Sequence, residues 1–116
     1  MKGYPQIVSR AAEAVINKQG KDAVILDMRG LVGYTDYFII ATGESSLQVR
    51  AISDEVLKNL KEAGFRIFHV EGYESAVWVL LDYGDLIIHI FLLEMRDFYD
   101  LEKLWADAPS AEIKES

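Results

Sequence analysis

The stretch that most constrains the fold is WVLLDYGDLIIHIF, residues 78–91. It divides into two strand-length runs around Tyr83-Gly84, with the glycine supplying the positive φ that a two-residue hairpin turn needs. Such a turn sets Asp82 against Asp85, Leu80 against Ile87 and Trp78 against His89. Side chains alternate along a strand, so Val77, Val79, Leu81, Leu86, Ile88 and Ile90 fall on one face, and Trp78, Leu80, Asp82, Asp85, Ile87 and His89 on the other. The first face is purely aliphatic and has to be roofed by helices. The second carries a tryptophan, a histidine and two aspartates for which a core strand has no use, and it is the place to look for function.

The rest of the chain supplies the roof. Pro5 opens a segment in which Ile7, Val8, Ala11, Ala12, Val15 and Ile16 recur at helical spacing, and Gly20 closes it. AVILD, 23–27, and YFIIATG, 37–43, read as strands separated by a glycine-containing loop. A helix then starts at Ser45, with Gln48 placed to complete a capping box. Its apolar stripe is Val49, Ile52, Val56, Leu60 and Ala63, it stops at Gly64, and its opposite face of Arg50, Glu55, Lys58, Lys61 and Glu62 is solvated. FRIFHV, 65–70, alternates as a strand. RDFYDLEKLWADAP puts Leu101, Leu104, Trp105 and Ala108 on one helical stripe ending at Pro109, and residues 110–116 read as a loose polar tail. The order αββαβββα is that of a small single α/β domain with a mixed sheet of about five strands and flanking helices, occupying residues 1–109.

Charge and composition remove several function classes. At 116 residues there is room for one modest core. No apolar run is long enough to span a bilayer, and MKGYPQIVSRAAEAV has no secretory pattern, so a cytoplasmic protein is expected. Without cysteine there is neither a thiolate metal site nor a cysteine nucleophile. The net charge of −7 disfavours a nucleic-acid backbone and favours a basic protein partner. TGESSLQ could hold a phosphate at a helix N-terminus, but it lacks the P-loop lysine and spacing, and capping accounts for its residues. A nucleotidyltransferase needs two carboxylates at i and i+2 to clamp a metal; residues 44–54 offer only Glu44 and Asp54, and the 65–70 strand has no acid. His69, Glu71 and His89 show no convergence on a metal, and no serine sits on a nucleophile elbow. No catalysis, cofactor or metal is expected.

Two readings of the mixed hairpin face stand side by side. In one, Trp78 is an interface anchor flanked by Leu80 and Ile87, with Asp82 and Asp85 meeting lysine or arginine at the rim. In the other, the C-terminal helix folds over the face through Phe98, Leu104 or Trp105 and makes Trp78 part of a core.

DYFIIATGESSLQVRAI, then EG, then WVLLDYGDLIIHIF, then RDFYDLEKLW, in this order and spacing, resemble the ribosomal silencing factor (Iojap) family over residues 36–108. Gln48 stands where many members carry histidine and Leu93 where many carry proline, which puts any family role for Gln48 in doubt. The resemblance implies a nucleotidyltransferase-like fold lacking the catalytic acids. It also implies a translational repressor that binds the large ribosomal subunit through ribosomal protein number fourteen and blocks joining of the small subunit, notably when nutrients run short. On that reading the partner-binding residues are Trp78, Leu80, Asp82, Tyr83, Gly84, Asp85, Ile87, His89, Phe98 and Tyr99, with Tyr83-Gly84 a close-approach turn and His89 supporting Trp78. Little direct nucleic-acid contact and no membrane contact are expected, and the exposed face predicts pairing with a second copy when free. The alternatives are a metal-dependent nucleotidyltransferase-like enzyme and an acidic adaptor with a non-ribosomal partner.

Overall fold

A computed structural model describes residues 3–114, so residues 1–2 of the expected domain and 115–116 of the expected tail lie outside the described residues. Helix α1 (Gln6–Asn17) leads into strands β1 (Lys21–Asp27) and β2 (Tyr37–Gly43), helix α2 (Ser46–Glu62), and strands β3 (His69–Glu71), β4 (Trp78–Asp82) and β5 (Leu86–Leu92). Two short helices, α3 (Leu93–Tyr99) and α4 (Leu101–Leu104), and a sixth strand, β6 (Ser110–Glu112), follow. Among the described residues the mixed sheet has six strands, close to the expected five, in the order β3-β4-β5-β2-β1-β6. Among the described strands only β2 and β5 pair in parallel, and every residue of β2 is buried between β5 and β1.

Helices α1 and α2 lie on one face of the sheet. Val8, Ala11 and Val15 of α1 and Val49, Ile52, Val56 and Leu60 of α2 pack there on Ile39, Val79, Leu81, Ile88 and Ile90. This is the aliphatic face of the hairpin, under the helical roof its composition demands. The α2 start is fixed by Ser45, whose hydroxyl accepts the Gln48 amide at 3.1 Å. The reciprocal bond differs from a capping box: Gln48 Oε1 accepts the amide of Glu44, and Gln48 Nε2 donates to the carbonyls of Lys18 and Gln19, tying α2 to the end of α1. Replacing Ser45 by alanine is expected to cost about 1 kcal/mol, read as a lower urea midpoint. An unchanged midpoint would mean that the Gln48 side chain alone holds this end. The other end of α2 is a Schellman motif, with Gly64 at φ 89° and the amides of Gly64 and Phe65 on the carbonyls of Lys61 and Leu60.

Several elements depart from the sequence reading. At the end of α1 the left-handed residue is Gln19, not Gly20; Gly20 is needed because a Cβ there would sit 2.6 Å from Val15 Cγ1. The 65–70 strand shrinks to three exposed residues of an edge. The C-terminal helix is broken at Asp100, whose φ of 47° ends α3 and whose side chain caps α4 at the Lys103 amide. Ser110–Glu112, expected in a loose tail, pair antiparallel with Val24–Leu26 on the free edge of β1. Arg50, expected in solvent, donates to the carbonyls of Tyr73 and Glu74.

The hairpin register shifts by two residues. Trp78 pairs with Phe91, Leu80 with His89 and Asp82 with Ile87, while the Tyr83 amide bonds the Leu86 carbonyl. The turn is therefore Gly84-Asp85, with the glycine first at φ 85° and its amide on Asp82 Oδ1 at 2.8 Å. Because side chains repeat every two residues, this slip leaves each strand residue on its expected face.

Candidate protein-docking face

The second face of the sheet is half covered. Leu26, Met28, Phe38, Ile40, Ile87 and Phe91 form a smaller core there, roofed by Met95, Leu101, Trp105 and Ala108 of the C-terminal segment. The cover lies over the β1-β2-β5 part. Trp78, Leu80 and Asp82 of β4 remain partly exposed beyond it, and outside them His69 and Glu71 of β3 are exposed. His69 pairs with Asp82 and Glu71 with Leu80, so both project from this same face. The C-terminal segment thus roofs one half of the face through Trp105, as expected, but not through Phe98 or Leu104, which are exposed, and it leaves the other half open.

Trp78 sits at the border between the two halves. Its ring stacks on Phe91 at 5.0 Å and meets Tyr99 at 4.6 Å. The indole N–H donates to His89 Nδ1 at 3.1 Å. That bond requires the neutral imidazole with its proton on Nε2. Burial pushes the His89 imidazole down to about 4, which keeps it in that form at neutral pH. Phe98 packs edge-on against Tyr99 at 5.2 Å, extending the aromatic row from Trp78 onto α3. Phe98 is 76% exposed and Leu104 69%, the apolar tips of the α3-α4 segment.

The approach to Trp78 is held from below. Arg50 bonds the 73–74 carbonyls, and the Tyr73 hydroxyl donates to Asp54 Oδ1 at 2.8 Å, so α2 fixes the loop that delivers β4. Gly72 passes so close that a Cβ there would lie 2.1 Å from the Trp78 carbonyl oxygen. A larger residue would push the strand that carries the indole.

The expected site residues therefore separate by burial. Trp78, Leu80, Asp82, Gly84, Asp85, Phe98 and Tyr99 all keep accessible surface. Ile87 and His89 are buried beneath them, at 6% and 4% exposure, and present almost no surface. Tyr83 lies on the helix side, in the main core, where burial pushes its hydroxyl up to about 12; it lends the turn no exposed surface. Phe91, which stacks on Trp78, is reached by period two from His89, and Glu71, in the EG that precedes the hairpin, pairs with Leu80. The rim carries carboxylates: Asp82 and Asp85 at the hairpin and Glu94 and Asp97 on α3 all keep accessible surface, while Glu71 is paired with His69 and Glu102 with Arg96. Among the described residues no three His, Cys, Asp or Glu side chains converge on a metal-sized site, and no helix is long and apolar enough to cross a membrane.

Comparison with known proteins gives one result throughout. The model of a family described as ribosomal silencing factor during starvation matches residues 2–116. A ribosomal silencing factor of Halalkalibacterium halodurans is 42% identical over 109 residues, covering 94% of this chain and 93% of that protein. A crystal structure of a Chromobacterium violaceum protein superposes with a TM-score of 0.85 at 44% identity, covering 87% of this chain and 84% of that one. A more distant relative, the mouse mitochondrial assembly of ribosomal large subunit protein 1, is 32% identical over 91 residues, which span 76% of this chain and 40% of that protein.

Proposed function

This chain belongs to the ribosomal silencing factor family, and from that premise we propose that it represses translation by occupying the large ribosomal subunit. It docks through ribosomal protein number fourteen and stands where the small subunit has to join. The observation that carries this reading is the half-covered sheet face, an aromatic border of Trp78, Tyr99 and Phe98 inside an acidic rim. An aromatic anchor with few rotors to freeze is the usual centre of a protein interface, and the carboxylates around it suit a basic partner. Ribosomal proteins are commonly basic, while the net charge of −7 discourages adhesion to RNA phosphates. The name of the mouse relative points to the same subunit. The action is steric, carried out in the cytoplasm, and it makes and breaks no bond.

The test is a subunit-joining assay. Purified large subunits are mixed with the protein, small subunits are added, and the joined fraction is read by sedimentation together with the position of the protein. Co-migration with the large subunit and a fall in joined ribosomes is the expected result. A protein left at the top of the gradient, with joining untouched, would overturn the reading and leave an acidic adaptor with another partner.

A further inference from the structure

We propose that Arg96 is a positioning residue for docking, holding α3 and α4 at the angle that keeps Tyr99 and Phe98 beside Trp78; this rests on the docking reading above. Neither short helix contains a fully buried residue and Asp100 breaks the chain between them; Met95 and Leu101 rest on the smaller core only partly buried, so directed bonds have to help set the angle between the helices. One side chain spans the break. Arg96 Nε donates to Glu102 Oε1 at 2.9 Å, and Nη1 donates to Thr42 Oγ1 at 2.8 Å. Thr42 is fully buried in the central strand β2, so the guanidinium fastens both helices to the buried middle of the sheet. The Arg96 side chain is itself only 12% exposed. Its partner Glu102 is 40% exposed, so the ion pair contributes little net stability, but its directed bonds fix geometry. Together the bonds of Arg96 join α3, α4 and β2 directly beside the aromatic row.

Stability and positioning therefore make different predictions. Arg96→Met keeps the packing of the stem and removes both bonds, and the double change with Thr42→Val also removes the hydroxyl left unpaired. The double variant is expected to keep its urea midpoint and its sheet circular dichroism, yet to bind purified large subunits roughly tenfold more weakly in a sedimentation assay. Phe98→Ala should weaken binding in the otherwise wild-type chain and add little in the double-variant background, because the ring is already out of place. Wild-type affinity in the folded double variant would overturn the proposal, as would an equal Phe98→Ala effect in both backgrounds. If the wild-type protein itself fails to bind, the docking reading falls, and the positioning claim is decided separately by NMR. Loss of the cross-peaks between the Trp78 and Tyr99 rings in the double variant sustains it, and their retention ends it.

Discussion

Replacing Trp78 by alanine is expected to weaken association with the large ribosomal subunit by about thirtyfold or more, roughly 2 kcal/mol, without unfolding the protein. The size follows from how the indole is held. It is stacked on Phe91 and Tyr99, and its N–H is bonded to His89, so its rotamer is settled before any partner arrives. A preorganised anchor loses little side-chain freedom on docking, so more of the burial gained appears as affinity. Trp78→Phe separates the two contributions: it keeps a stacking ring and loses the N–H, and its affinity should fall between wild type and alanine. Since Trp78 also packs on the smaller core, each variant needs a urea curve beside its binding curve. Undiminished binding by a folded Trp78→Ala protein would remove the indole from the interface.

The second large effect is on stability and depends on pH. Free imidazole takes a proton near 6.5, whereas His89 in the folded protein does so only at about 4, because burial penalises the charged ring. Between those values the unfolded chain binds more protons than the folded one, so stability falls as pH falls through that window. The contribution is fully present above the unfolded value and is gone below about 4, a difference of about 3 kcal/mol. Most of it should be lost between about pH 7.5 and about pH 5, measured by urea unfolding. The other ionisable groups are common to both proteins, so His89→Gln serves as the reference. Glutamine can still accept from the Trp78 indole but cannot be protonated, and its stability should stay nearly flat across the window. Parallel pH profiles for the two proteins would show that His89 is not the group responsible.

The elements that could be read from the residues are those whose pattern is set by burial on one side. The α2 stripe, the fully buried β2 and the two faces of the hairpin all follow from it, and the faces survived an incorrect turn because a slip of two residues leaves a period of two unchanged. What could not be read is set by distant partners. Ser110–Glu112 have no strand pattern and become β6 only because β1 offers an unpaired edge. Asp100 looks like an ordinary helix residue, and its left-handed conformation, tolerated by aspartate, shows only once α3 and α4 are bent across the sheet. The site was legible as an unusual face. Its division into an open and a roofed half was not, because a stripe containing Leu101, Trp105 and Ala108 indicates that a helix must cover something, without saying how far the cover reaches.

The parallel pairing at the centre of the sheet has a consequence for how the protein comes into being. β2 obtains its second neighbour only when Tyr37 meets Leu86, with α2, β3 and β4 lying between them in the chain. Closing so long a loop costs entropy before its contacts return anything, which places the sheet among slow-forming topologies. During synthesis, the apolar run of β2 has emerged well before β5 exists to cover it. Until then the nascent chain carries that apolar run open on one side, and β6, which pairs with β1, emerges later still.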